Sequence, residues 1–121
     1  MLSTLMFSFK TYAEWTKVAE NNKGVFYLDI DRIKKIDGKI YWWQLTDLKK
    51  STKNGTKSSI LFSEGDCTLL GYKVLSDTFY LLPMGKGDSN GGSDIPDKNW
   101  RFPQPESPGE YIIKNLCNLY K

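Results

Sequence analysis

Two pairs of carboxylates are the first candidates for catalytic chemistry. Asp29 and Asp31 alternate along a strand-like segment, and Glu64 and Asp66 flank a glycine in a turn-like segment. Such pairs perform acid–base catalysis when their surroundings separate their pKa values. Here Arg32 is close enough in sequence to serve as a salt-bridge partner, and the chain contains no histidine, the commonest general base. We therefore predict no catalytic residue, and we expect the protein not to be an enzyme.

Cys67 and Cys117 are the only two cysteines. Cys67 would need a neighbouring base to act as a nucleophile, and the sequence supplies none. Two thiolates cannot complete a structural zinc site, so we expect neither a metal nor a cofactor. In an exported chain the two would pair, and closing a loop of about 50 residues would stabilise the fold by roughly 4 kcal/mol. The alternative is two unrelated buried thiols.

The segment GKGDSNGGSD, residues 85–94, is rich in glycine and in potential oxygen ligands. A phosphate loop is excluded because position 90 is not glycine and no helix start follows. A calcium loop that starts at Asp88 would need a glutamate at its twelfth position, where the chain has Asn99. The composition instead predicts a mobile connection.

The segment KKSTKNGTK, residues 49–57, joins two strand-like segments. No acidic residue lies between Asp47 and Glu64, so these lysines would create local positive potential that attracts acidic glycans or acidic protein segments. Alternatively, they keep neighbouring strand edges from pairing with other chains. The formal net charge of only +3 at pH 7 does not favour nucleic acid as a partner. The candidate ligand-binding lysines are Lys49, Lys50, Lys53 and Lys57.

Short strands separated by turn residues must position these groups. GVFYLDID alternates with a period of two, and Asp37-Gly38 before KIYWWQLTDL predicts a type I′ hairpin. SSILF follows, SEGDC is interpreted as a turn, and Ser76-Asp77 is predicted to interrupt the next strand before TFYLLPM. We therefore expect five or six strands in hairpin succession, arranged as an antiparallel meander.

The C-terminal segment changes to a helical period. Ser107 is the expected N-cap, Pro108 occupies the first helical position, and Glu110 completes a capping box. Cys117 lies on the apolar stripe of this helix, so a disulfide to Cys67 would fasten the helix across one face of the sheet. Strands followed by one terminal helix predict an α+β domain.

Aromatic residues offer a second candidate contact. Neighbouring strand positions point to opposite faces, so Trp42 and Trp43 diverge. Whichever is outward, on the face that the helix leaves uncovered, could anchor a glycan or a peptide, and we assign this role to Trp43. The alternative is that a second subunit buries it.

Residues 1–13 are interpreted as a truncated signal peptide, which leaves residues 14–121 as one domain. Leu2 to Phe9 is an apolar run, and Ala13 is a small residue at the expected cleavage point, although a basic n-region is missing. An ordinary amphipathic strand or helix is the alternative. Eight residues are too few to span a bilayer, which needs about 20. We expect an exported protein, in the periplasm or at the cell surface, with no membrane span in the mature chain.

The ordered set Trp15, FYLDIDRI, YWWQLTD, SEGDC, YKVLSDTFY, MGKGD, Trp100, PQPESPGEYI and Cys117 resembles the surface-adhesin protein E family of bacterial exported proteins. The resemblance runs from about Trp15 to Cys117. It implies an antiparallel sheet whose concave side carries a C-terminal helix tethered by a Cys67–Cys117 bridge. It also implies an exported, non-enzymatic and often dimeric protein. The best-known member of the family is an adhesin that binds host vitronectin, laminin and plasminogen.

Two functions follow as expectations. The first is an exported, adhesin-like binding domain that engages a host extracellular-matrix protein or an acidic glycan. The second is a periplasmic structural or envelope-associated domain without a host ligand, which forms a homodimer through its sheet edge or uncovered face.

Overall fold

A computed structural model describes residues 14–120, so the proposed signal segment lies outside the described residues. Within them, seven strands form one antiparallel sheet with one helix packed on it. Two 3₁₀ turns occur at Ile30–Arg32 and Pro83–Gly85. The strands and the helix are β1 (Thr16–Glu20), β2 (Gly24–Leu28), β3 (Lys34–Ile36), β4 (Lys39–Leu48), β5 (Ser58–Asp66), β6 (Gly71–Tyr80), β7 (Ser89–Ser93) and α1 (Pro108–Leu119).

The strand order confirms the predicted α+β fold with a meander sheet. The order is β1-β2-β4-β5-β6-β7, and the short β3 pairs with the start of β4. The predicted hairpin turn joins β3 to β4, with φ of 50° at Asp37 and 80° at Gly38, as a type I′ turn requires. The sheet has more strands than the five or six expected because the segments that form β1 and β7 carry weak strand signals.

The predicted turn at SEGDC is wrong. β5 continues through Asp66, and the chain reverses only after it, at residues 67–70. The Asp66 carboxylate stabilises that reversal by accepting hydrogen bonds from the amides of Thr68 and Leu69, at 2.9 and 3.0 Å. Position 65 of this strand is glycine because the helix packs directly over it and leaves no room for a side chain.

The predicted break at Ser76-Asp77 is also wrong. β6 runs without interruption from Gly71 to Tyr80. Its pairing with β5 shifts by one residue between Phe62 and Ser63, so Leu75 is an extra residue in a β-bulge. Ser76 and Asp77 themselves remain paired, with Phe62 and Leu61.

The glycine-rich segment contains a strand where a mobile connection was expected. Residues Ser89–Ser93 form β7, which pairs with β6 at the edge of the sheet. A Cβ atom on Gly92 would overlap the carbonyl oxygen of Asp77, so glycine permits the close approach of these strands. Glycine composition predicted flexibility, whereas here it permits tight strand pairing.

Helix α1 covers one face of the sheet and supplies half of the main core. The hydroxyl of Ser107 accepts the predicted capping hydrogen bond from the Glu110 amide at 3.2 Å. The Glu110 carboxylate does not complete the capping box on the Ser107 amide; it accepts a hydrogen bond from the Glu106 amide at 2.9 Å. The predicted disulfide joins Cys117 to Cys67 in the β5–β6 turn. The core beneath the helix consists of Leu28, Ile40, Trp42, Ile112, Ile113 and Leu116.

The opposite face of the sheet is covered at one end by the second 3₁₀ turn. Leu45 lies on this face and is fully buried, because Gly85 packs so closely that its Cβ would lie 3.2 Å from the Leu45 side chain. The turn is held by hydrogen bonds from the Met84 amide to Asp47, at 3.1 Å, and from the Gly85 amide to the Ser58 hydroxyl, at 2.8 Å. The rest of this face carries aromatic side chains.

In the described part of the chain, no helix has the length and apolar character needed to cross a bilayer.

Candidate ligand-binding surfaces

The lysine-rich loop between β4 and β5 is an ordered turn. The Thr52 amide donates to the Thr56 carbonyl and the Gly55 amide donates to the Thr52 carbonyl, each at 2.9 Å. Asn90 in β7 holds the loop in place. Its side-chain amide nitrogen donates hydrogen bonds to the Asn54 carbonyl oxygen and to the Thr56 hydroxyl. The backbone that carries the lysines of this loop is therefore held in one conformation.

Two of the four predicted lysines have partners within the domain. The Lys49 ammonium lies 2.8 Å from a carboxylate oxygen of Glu20 in β1. The Lys57 ammonium donates to the Leu48 carbonyl oxygen. Hydrogen bonds from Lys17 and Lys49 lower the pKa of Glu20 from 4.5 to about 2, so Glu20 stays charged near neutral pH and offsets Lys49.

The other two predicted lysines, Lys50 and Lys53, are exposed and form no ion pair with a described residue. The fold brings an additional cation beside them. The Lys49 amide donates to the Lys23 carbonyl at 2.9 Å, which places the β1–β2 turn next to the loop. Lys23 is also exposed. We call Lys23, Lys50 and Lys53 the basic tip.

Sequence reasoning missed Lys23 because it lies in a separate turn, far from the lysine-rich segment. Its contribution depends on the antiparallel pairing of β2 with β4, where Gly24 lies opposite Leu48. The ion pair between Lys49 and Glu20 was also missed, because Glu20 lies in a separate strand far from Lys49 in the sequence. The only local signal was the turn-forming segment NNKG itself.

Trp43 lies on the face away from the helix, whereas Trp42 is buried beneath the helix. Trp43 is half-buried, with its ring centroid 4.7 Å from that of Phe62. The Arg32 guanidinium also lies over the Trp43 ring, 4.8 Å from its centroid. Arg32 is fixed in turn by the buried Asp29 carboxylate, 2.5 Å from its Nε. Trp43 thus presents only part of its surface to a ligand.

The structure does not bring Trp43 and the basic tip together. Trp43 and Leu48 are five residues apart in one strand, which corresponds to about 17 Å at 3.3–3.4 Å per residue. The loop with Lys50 and Lys53 begins beyond Leu48. These are two separate surfaces, and one small ligand cannot contact both.

Three of the four paired carboxylates, Asp29, Glu64 and Asp66, have structural partners. Asp29 pairs with Arg32, and Glu64 accepts a hydrogen bond from the Tyr41 hydroxyl at 2.8 Å, which raises the pKa of Tyr41. Backbone amides of the following turn lower the pKa of Asp66. Among residues 14–120, no group of three or more histidine, cysteine, aspartate or glutamate residues is placed to hold a metal ion.

Comparison with known proteins identifies related sequences and folds. The family model for surface-adhesin protein E matches residues 15–118. Crystal form II of Haemophilus influenzae protein E superposes with a TM-score of 0.68 at 15% identity, covering 97% of this chain and 98% of that one. The crystal structure of protein E from non-typeable Haemophilus influenzae gives a TM-score of 0.65 at 14% identity, covering 96% and 84%. These TM-scores establish a shared fold. No curated protein sequence matches the chain significantly.

Proposed function

Because the chain belongs to the surface-adhesin protein E family, we propose that it is an exported, non-enzymatic binding domain that holds an acidic partner at its basic tip. The partner class is a host extracellular-matrix protein with an acidic segment, or an acidic glycan. The disulfide between Cys67 and Cys117 supports export, because such bonds persist in oxidising compartments.

The observation that carries this proposal is the arrangement of charge at the tip. Lys50 and Lys53 are exposed and form no ion pair with a described residue, so their charges remain available to a ligand. The ordered loop reduces the conformational entropy that would be lost on binding. Lys49 contributes less because Glu20 offsets its charge.

Trp43 has a secondary place in this proposal. Its partly accessible ring could stack against a sugar or an apolar side chain of an extended partner that also reaches the basic tip. Because about 17 Å separates Trp43 from the end of its strand, only a long glycan or a protein partner could use both surfaces. A homodimer that covers this aromatic face is the competing arrangement.

Heparin affinity chromatography tests the basic tip. The variant Lys50→Glu/Lys53→Glu should elute at clearly lower salt than the unmodified chain, because it replaces two attractive charges with two repulsive ones. The matched control is Lys34→Glu/Lys35→Glu, which makes the same charge change in the exposed strand β3. Equal shifts in both variants would show only a net-charge effect, and an unchanged elution of the tip variant would refute the proposal.

Localisation is tested separately in the native host. Intact mass after alkylation, with and without reduction, should show a chain that begins near Glu14 and two thiols that react only after reduction. Labelling of intact cells with a membrane-impermeant amine reagent should modify the exposed lysines if the domain lies at the surface. If the lysines remain unlabelled in intact cells, the result would favour the periplasmic, envelope-associated alternative. A chain that retains residues 1–13 with free thiols would contradict export.

A further inference from the structure

A small cavity lies between the first turns of the helix and the sheet. Its volume is about 90 Å³. Trp42, Leu61, Val74 and Ile112 form its apolar walls. No lysine of the basic tip lines it, so it is distinct from the surface proposed above.

Ser63 is an unsatisfied polar group in the wall of this cavity. The residue is 2% exposed, and its hydroxyl makes no hydrogen bond with any described residue. In the sheet it lies opposite Trp42 and Val74, both of which are buried on the helix side. A buried hydroxyl without a partner is unfavourable, so its position indicates an occupant that bonds to it.

Hydrogen-bond donors predominate among the other polar groups of the wall. The Gln44 carbonyl oxygen accepts from the Trp42 indole at 3.2 Å, which leaves the Gln44 amide nitrogen as a donor. Gly109 also lines the cavity and is the second residue of the helix. Amides of the first helical turn have no acceptor within the helix, and they carry positive partial charge. Such a wall suits an occupant rich in acceptors.

One cationic side chain also lines the cavity. Arg101 lines it, and two of its nitrogens donate to the Asp97 carboxylate at 2.7 and 3.0 Å. The remaining N–H groups of this guanidinium can donate to an acceptor in the cavity.

We propose that this cavity binds the carboxylate group of a short-chain aliphatic acid, with the carboxylate toward Ser63 and Arg101 and the alkyl part against Trp42 and Val74. One water needs roughly 10–15 Å³, and a cavity of about 150 Å³ admits benzene, so a volume of about 90 Å³ limits the occupant to a few heavy atoms. The carboxylate could come from a free acid or from the glutamate side chain of a bound peptide.

The first test is a titration of the oxidised, ¹⁵N-labelled 121-residue chain with sodium propionate, followed by amide chemical shifts. Propionamide has the same size without the charge, and sodium chloride controls for ionic strength. We expect saturable shifts at Ser63, Gly109 and Arg101 with propionate alone. The variant Ser63→Ala should weaken the apparent affinity at least threefold. A parallel titration with the peptide acetyl-Gly-Glu-Gly-amide distinguishes the two sources, because saturation with the peptide would identify a glutamate side chain as an acceptable ligand.

A second measurement does not depend on any variant. Propionate should raise the Tm of the unmodified chain above its value in equimolar propionamide, because a ligand that binds only the folded state stabilises it. Equal shifts with propionate and propionamide would overturn the proposal. It would also fail if neither carboxylate source gave saturable shifts, or if Ser63→Ala bound propionate as well as the unmodified chain does.

Discussion

Glu20 shows how a single carboxylate reduces the charge of the lysine-rich loop. It lies in β1 and pairs with Lys17 at 2.7 Å and with Lys49 at 2.8 Å. All three side chains are solvent-exposed, so the pairs chiefly redistribute charge. The available positive potential is therefore concentrated on Lys50, Lys53 and the neighbouring Lys23.

We predict that the pKa of Glu20, followed by carboxyl ¹³C shifts, is about 2, well below the ordinary value of 4.5. Lys49→Ala should move it upward, because one of the two hydrogen bonds to the charged carboxylate is lost. Since the folded-state pKa is depressed, the stabilising contribution is present above pH 4.5 and is lost as pH falls toward 2. Lys50→Ala is the matched control and should leave the titration unchanged. A Glu20 pKa near 4.5 in the unmodified chain would contradict this ion-pair geometry.

The contact between helix α1 and strand β5 depends on a residue without a side chain. A Cβ atom on Gly65 would lie 2.6 Å from Cδ1 of Ile113 and 2.9 Å from the Trp42 ring. Both neighbours belong to the main core. The helix can therefore approach the sheet at this point only because position 65 is glycine.

We predict that Gly65→Ala lowers the free energy of unfolding by about 1–3 kcal/mol, because the helix must shift to make room. Ile113→Val removes the nearest clashing atom and should by itself cost about 0.5–1.5 kcal/mol. The double variant should lose less stability than the sum of the single variants, by about 0.5 kcal/mol or more, in urea unfolding. Strictly additive losses would show that Ile113 does not press on position 65.

At the level of the assembled domain, the disulfide links the last element to the middle of the sheet. Cys67 lies in the turn after β5, and Cys117 lies near the end of α1, 50 residues later in the sequence. The bridge therefore restricts about two fifths of the unfolded 121-residue chain. The buried Ile112, Ile113 and Leu116 hold the same helix through packing.

We predict that reduction lowers the free energy of unfolding by about 4 kcal/mol, as expected for a closed loop of this length. Urea unfolding with and without a reductant measures the difference. The double variant Cys67→Ser/Cys117→Ser is the control and should resemble the reduced chain, with no further response to reductant. Equal stabilities of the oxidised and reduced chains would mean that packing alone holds the helix.

Local chemistry accounts for the parts of the fold that could be predicted. Asp37-Gly38 specified its turn because few residues tolerate positive φ at two successive positions. The helix was predictable because Ser107, Pro108 and the apolar stripe after them lie within one short segment. β7 and the continuation of β5 through Gly65 were missed because glycine is a weak local strand signal. In both places glycine is required by a close contact with another segment.

The amino-acid order thus specified the α+β class, the meander, the capped helix, the divergence of Trp42 and Trp43 and the family resemblance. These features depend on neighbouring residues and on short periodicities. The tertiary structure set the charge of the loop and the lining of the cavity, by placing Glu20 and Lys23 beside the lysines and by bringing Ser63, Arg101 and Gly109 together. Such groupings depend on strand register and helix docking between distant segments, which no local pattern encodes.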